Sequence, residues 1–307
     1  MKNQTTNTIL MIEPVLFGFN AETAVNNYFQ QKKVDETADL QKLALEEFRN
    51  MVELLRAKGI DVIVVKDTKQ PHTPDSIFPN NWISFHDGGQ VVLYPMFAPN
   101  RRLERRRDIM GLIEEHRCVL NNVDDFSFWE EQNLFLEGTG SMVLDRENKI
   151  AYAALSERTD KTIFLQFCCT FGFEAVCFTA FQSVDDKRLP IYHTNVMLSV
   201  CDNYVIICTD TIDDIKERTK VLESFKRTGK TIVEISELQI NCFAGNMLQV
   251  NNKNGKTFLV MSQTAYSSLQ EHQIEQLKSY NELIIIPIPT IEQIGGGSVR
   301  CMMAEIF

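Results

Sequence analysis

The sequence predicts an α/β protein in which one unit, hairpin–helix–strand, recurs at a spacing of about 50 residues, the period of a propeller or array. Three observations carry this expectation. The unit is legible in successive copies along the chain. Asn/Asp-Gly turns and Gly helix stops fall between the apolar runs where the unit requires them. A further copy is split between the two ends, so the last segment would complete the first unit, close a ring and remove a free sheet edge.

Taken in order, MIEPVLFGF reads as a first strand, 39–57 as a helix and IDVIVV (60–65) as a strand. SVRCMMAEIF, at the other end, supplies the strand that this split unit lacks. NWISFHDGGQVVLYPM reads as a hairpin, RRLERRRDIMGLIEEH as a helix and CVLNNV as a strand. SMVLDRENKIAYAAL (141–155) is a hairpin around an Asp/Glu/Asn turn; RTDKTIFLQFCCTFG has helical spacing, and EAVCFTA is a strand. NVMLSVCDNYVIICTDTI (195–212) turns at Asp202-Asn203, DDIKERTKVLESFKRTG is a helix with a Gly stop, and TIVEIS is a strand. NMLQVNNKNGKTFLVMS (246–262) is a hairpin with an Asn-Gly signal, AYSSLQEHQIEQLKSYN a helix and ELIIIPIP a strand. Apolar residues at period 2 or 3.6 assign each element. Alternating helices and strands make the class α/β, with a plain three-layer sandwich as the alternative. No linker stands out, so 1–307 reads as one domain.

Bulk properties exclude several functions. The composition is that of a globular protein, 44% apolar and 23% charged. A net charge of −10 argues against nucleic acid or an anionic membrane as the main partner, since phosphate binding needs a positive field. No stretch reaches membrane-span length. The N-terminal apolar run is broken by Glu13-Pro14 and is not read as a signal peptide, so the expected address is the cytoplasm. The eight Cys should then be reduced thiols, and their spacing with His fits no zinc site. Seven of them, 118, 168, 169, 177, 201, 208 and 242, read as inert packing residues. No metal or organic cofactor is implied.

The eighth, Cys301, follows three glycines, 295–297, and opens an apolar run. Glycines let backbone approach a ligand closely. Cys301 is thus either a core residue of a terminal strand or a nucleophile facing a pocket. A thiolate nucleophile needs a proton carrier nearby, usually His. His72, His86, His116 and His272 read as surface residues; His193, in LPIYHTNVML, sits at the polar entrance of an apolar strand. Glu137, in FLEGTGSMV, and Asp75, in PHTPDSIFPNNW, occupy comparable strand-to-turn positions, although Asp between prolines is also an ordinary turn former.

Together these segments resemble the guanidino-modifying, or pentein, superfamily of dimethylarginine dimethylaminohydrolases, arginine and agmatine deiminases and amidinotransferases. PDSIFPNNW, APNRRLE, LEGTGSMV, LSERTD, YHTN, INCFAGNMLQV and GGGSVRCMMAEIF follow the family's order over most of the chain. The pattern is most similar to dimethylarginine dimethylaminohydrolase and to the bacterial citrulline-utilisation hydrolases. The resemblance implies a five-bladed α/β propeller. It also implies that Cys301 attacks the planar carbon, that His193 carries protons and that Glu137 orients His193. Asp75 would shape the polar end, and Arg101 and Arg158 would pair with the substrate α-carboxylate. For Arg101, inside RRLERRR, a solvated helix end is the other reading.

The chain departs from that pattern at Asn80, Asn81 and Asn195, where relatives carry acidic residues. An amide offers N–H donors as well as an acceptor, whereas a guanidinium brings only donors. A neutral ureido group brings an oxygen that needs donors. The expected substrate is therefore citrulline, hydrolysed to ornithine, ammonia and carbon dioxide. Arginine deimination or dimethylarginine hydrolysis is the alternative, and amidino transfer or a non-catalytic binding protein remains open. The expected partner is a small amino acid, with a homo-oligomer left open. Phe17-Gly18-Phe19-Asn20 is a candidate lid.

Overall fold

The structure, a computed structural model, describes residues 4–31, 39–116 and 118–307. Five three-stranded sheets are arranged as the blades of a pseudo-fivefold propeller. In each blade an antiparallel pair is extended by a parallel third strand, and a helical crossover leads to that third strand. A parallel neighbour cannot be reached by a tight turn, which is why every blade needs a helix.

The first blade joins both ends of the chain. Thr8–Glu13 pairs antiparallel with Ala304–Ile306 and parallel with Asp61–Lys66. The second blade is Ile83–His86, Gln90–Leu93 and Asn122–Asp125. The third is Val143–Asp145, Ile150–Ala154 and Glu174–Phe178. The fourth is Leu198–Val200, Tyr204–Ile207 and Thr231–Glu234. The fifth is Leu248–Asn251, Thr257–Ser262 and Glu282–Ile286.

Helices pack apolar stripes onto these sheets. In Asp39–Ala57, Ala44, Phe48, Met51 and Leu55 recur at helical spacing and are buried against the first and fifth blades. Each such Phe, Met or Leu contributes roughly 1.5–3 kcal/mol by leaving water. Lys161–Phe171 starts where the Asp160 carboxylate accepts the N–H groups of Thr162 and Ile163, and stops at Gly172 with φ +66°.

Several expectations need correction. The helix expected over 265–281 is two, Gln263–Ser268 and Glu271–Tyr280, because Leu269 and Gln270 are extended. The helix expected over 101–116 is likewise Pro99–Arg102 and Asp108–Glu115. The strand expected at 118–123 lies at Asn122–Asp125. The hairpin Phe181–Val184/Lys187–Pro190 and the helix Pro289–Gly295 were not anticipated. His86 is buried, not on the surface: it stacks on Phe171 and bonds Ser84 and Arg146. Cys169 is exposed, on the outer face of its helix.

Ala304–Ile306 of the first blade lies beside Ile83–His86 of the second, and Leu198–Val200 of the fourth lies between Val143–Asp145 of the third and Leu248–Asn251 of the fifth. The turns that lead into these strands carry Asn80-Asn81, Glu137–Gly140, His193–Asn195, Asn246 and Cys301. One end of the ring thus gathers polar residues that are far apart in sequence.

Candidate active site

Of the nine residues singled out in the sequence, six line one cleft: Asp75, Asn81, Arg101, Arg158, His193 and Cys301. Glu137 stands behind His193, and Asn195 behind Cys301. The Asn80 amide is turned away and donates to the Thr139 hydroxyl at 3.2 Å. All nine are buried.

Cys301 sits in a turn, three residues before the strand it was expected to begin. Its sulfur faces two amides, with Asn195 Nδ2 at 3.5 Å and Asn246 Nδ2 at 3.3 Å. The Asn246 amide is oriented without ambiguity, because its Oδ1 accepts the Arg300 N–H and its Nδ2 also donates to the Asn195 carbonyl. Its N–H therefore points at the Cys301 sulfur. Asn246 was not anticipated: it lay inside a recognised motif, but no local spacing marked it as a neighbour of Cys301.

His193 Nε2 is 2.7 Å from Glu137 Oε2. Burial pushes the Glu137 carboxyl up, but Arg158 at 3.5 Å, the His193 contact and Arg101 outweigh it and hold it at about 2. Burial lowers His193 to about 4 despite the opposing pull of Glu137. At neutral pH the pair is thus an ionised carboxylate and a neutral imidazole. A carboxylate only accepts, so Nε2 carries the proton and Nδ1 is left as a base. Nδ1 lies beside Asn81 and is approached only because position 140 is glycine. A Cβ there would fall 2.8 Å from His193 Nδ1 and 2.4 Å from Asn81 Nδ2.

Arg101 is buried, so the solvated helix end is overturned; the turn that carries it is packed beneath the cleft. Its guanidinium is largely committed. Nε and Nη2 grip Glu104 at 2.9 Å each, Nη2 also serves the Phe78 carbonyl, and Nη1 donates to Asn81 Oδ1 at 2.7 Å. At most one of its five N–H groups remains, too few for a two-pronged grip on a substrate carboxylate. Burial raises Glu104 to about 7 against the pull of Arg101. Arg158 donates to Asn26 Oδ1 and to the Thr23 carbonyl, both in the segment that crosses the cleft.

That segment, residues 20–31, forms a strap. Asn20 and Thr23 donate to Asp75 Oδ2 at 2.7 and 3.0 Å, and Asn27 donates to the Gly296 carbonyl. Gly296 adopts φ +64°, and a Cβ there would lie 2.4 Å from Gln30 of the strap. The expected lid, 17–20, is thus the leading end of a longer cover. Beneath it the cavity is ≈ 20 Å³, room for about one water molecule. Two cleft atoms have no hydrogen-bond partner, Asp75 Oδ1 and Asn81 Nδ2. The first is an acceptor when ionised; the second is a donor whose orientation is fixed because Arg101 can only donate to the amide's other end.

Comparison with known proteins settles the family. The family model described as N,N dimethylarginine dimethylhydrolase, eukaryotic, matches residues 13–307. The chain belongs to this family. The five blades of this dimethylarginine-hydrolase family member are those of the pentein fold, as the solved structures show. The N-terminal domain of ArgZ, an arginine dihydrolase from the ornithine–ammonia cycle in cyanobacteria, was solved as a Cys→Ser mutant bound to substrate. It superposes with a TM-score of 0.75 at 19% identity, covering 97% of this chain and 97% of that domain. Against full-length ArgZ the chain spans only 40% of the partner's length, with a TM-score of 0.74 and 19% identity over 97% of this chain. The Pseudomonas aeruginosa dimethylarginine hydrolase, a Cys→Ser mutant complexed with citrulline, gives a TM-score of 0.64 at 15% identity. It covers 99% of this chain and 100% of that one. No curated protein matches the chain. Among the described residues no cluster could hold a metal ion, and no helix is long and apolar enough to cross a membrane.

Proposed function

We propose that this family member is a cysteine hydrolase of the ureido group of citrulline, releasing ornithine, ammonia and carbon dioxide. One observation carries the choice of substrate: the same cleft is lined by Asn81, with an unpartnered, fixed N–H, and by Asp75, with an unpartnered Oδ1. A ureido group satisfies both, its oxygen taking the Asn81 N–H and its own N–H reaching Asp75. A guanidinium satisfies only Asp75 and sets its N–H groups against that of Asn81. A buried donor without a partner costs about 1–3 kcal/mol.

The chemistry follows from the cleft. Cys301 sulfur attacks the ureido carbon as its proton passes to His193 Nδ1. The tetrahedral adduct collapses, and the departing amine of ornithine takes that proton, leaving a carbamoyl group on sulfur. Neutral His193 then accepts a proton from water as it attacks the thioester-like carbon. The C–S bond breaks, the departing sulfur takes back the proton from His193, and the released carbamic acid decomposes to ammonia and carbon dioxide. Glu137 stabilises the imidazolium each time it forms, and the amides of Asn246 and Asn195 stabilise the sulfur anion. Opening of the strap would release the Arg158 fork for the substrate carboxylate, while Arg101 keeps its grip on Glu104. Residues 1–307 would act as one catalytic domain, in the cytoplasm.

Arginine is the second reading. Three buried carboxyl groups, Asp75, Glu104 and Glu137, face two arginines, Arg101 and Arg158; burial raises Asp75 and Glu104, and a guanidinium nearby would favour their charged forms. The likeness to an arginine dihydrolase points the same way. Ammonia and ornithine release from citrulline, arginine, methylated arginines and agmatine, with Cys301→Ser as control, decides between them. Turnover of arginine with none of citrulline would refute the ureido assignment.

A further inference from the structure

Glu104 is buried one helical turn beyond Arg101 and makes no contact with Cys301 or His193 among its hydrogen bonds. Both its oxygens are spent on the Arg101 guanidinium, in a two-pronged ion pair with 2.9 Å bonds. That grip fixes the guanidinium in its plane, and the Nη1 left at its edge donates to Asn81 Oδ1 at 2.7 Å. Because guanidinium nitrogens never accept, the Asn81 amide cannot rotate by half a turn without placing its own N–H₂ against Nη1. Its N–H₂ is therefore held on the side away from Arg101, against Gly140 and His193, where it has no hydrogen-bond partner among the described residues.

We propose that Glu104 is a specificity-determining positioning residue. Through Arg101 it locks the Asn81 amide with the donor side out, so that the cleft selects a ligand presenting an oxygen over one presenting only N–H groups. The inference rests on the ureido reading and adds what enforces it. Asn81 alone would not discriminate, since a free amide turns to offer whichever end a ligand requires. The sequence marks the device only as Arg-x-x-Glu at 101–104, an ordinary helical ion pair by its spacing.

Release of the lock should shift preference towards the guanidinium. The change in charge works in the opposite direction, because removal of a carboxylate disfavours a cation. A shift towards arginine in a Glu104 variant thus reports rotation of the amide and not electrostatics. General weakening of the fold would lower both affinities together.

The test is calorimetric titration of L-citrulline and L-arginine into the full chain carrying Cys301→Ser, which prevents turnover. The same titrations follow with Glu104→Gln and with Glu104→Asp added. The parent should prefer citrulline. Glu104→Gln should reduce the ratio of the arginine to the citrulline dissociation constant by about tenfold or more, the loss expected for one mismatched buried donor. Glu104→Asp, which keeps the charge with a shorter reach, should give an intermediate ratio, and it carries the test if the Gln variant does not fold. A parent that prefers citrulline, with an unchanged ratio in the variants, overturns the lock and leaves the substrate assignment standing. A parent with no preference overturns both.

Discussion

If the proposed ureido chemistry holds, replacement of Glu137 by Gln should slow hydrolysis far more than it weakens substrate binding. Gln matches Glu in size, so the Phe97 N–H that Oε1 accepts at 2.9 Å keeps a partner. What disappears is the charge 2.7 Å from His193 Nε2 and the acceptor with it, because the amide N–H₂ then faces the ring. In the resting cleft the imidazole is neutral, with its pKa lowered to about 4 by burial, so the charge matters most when the ring takes a proton during attack. A buried ion left without its partner costs about 3–5 kcal/mol. At about 1.4 kcal/mol per decade, kcat should fall by roughly a hundred- to several-thousandfold. KM should change little, because Glu137 faces His193 and Arg158 and does not line the cleft. Ammonia release followed continuously gives both constants. Thermal denaturation must accompany it, since Arg158 also loses a counter-ion at 3.5 Å. A folded variant whose kcat falls by less than tenfold would refute the claim that this carboxylate stabilises an imidazolium in the rate-limiting step.

Other substitutions address separate parts of the cleft. Asn246→Ala removes the oriented N–H at 3.3 Å from sulfur, and alkylation of Cys301 by iodoacetamide, read by peptide mass spectrometry, should slow by about tenfold. Gly140→Ala places a Cβ under 3 Å from both Asn81 Nδ2 and His193 Nδ1, and activity should drop about a hundredfold, since an ångström of misplacement has that effect. His86, buried beside Arg146, has its pKa driven well below 6.5 by burial first and the guanidinium second. The unfolded chain therefore binds a proton that the folded chain refuses as pH falls below about 6.5, and stability declines there. Urea denaturation at pH 7.5 and 5.5 should show that decline, and His86→Gln should reduce it; equal slopes in both proteins would contradict the assignment.

The blades were legible because their signals are local. Alternating apolar residues, an Asn-Gly turn at 254–255 and a Gly stop at 172 need no tertiary context. The hairpin at 181–190 was missed although its turn is signalled, since Asp185 and Asp186 both adopt positive φ, which Asp tolerates. Its exposed, charged second strand lacks the apolar alternation that marks the others. The helix Pro289–Gly295 was hidden in a run of isoleucines and prolines, where Pro289 begins the helix and does not end a strand. In the cleft, Cys301, His193 and Glu137 were legible as candidates through the family motifs at the entrances of three blade strands. The partners that set their chemistry were not. Asn246 meets Cys301 from a different blade, Glu104 acts through Arg101, and Asn26 meets Arg158 across 132 residues. His86 was misjudged because a Gly-rich turn beside it suggested solvent, whereas its ring is roofed by Phe171 from the third blade's helix.

The first blade has a consequence for how the protein comes into being. Thr8 is paired with Ile306, so this sheet stays incomplete until residue 306 has been synthesised. Contacts of such sequence separation form late and slowly. The turn that bears Cys301 leads directly into that last strand. During synthesis, the Cys301 thiol would therefore have no amide neighbours, no imidazole and no roof until the other four blades stand ready. Formation of the cleft and closure of the ring become a single event, and a chain arrested before residue 301 would lack this thiol and leave the first blade open at one edge.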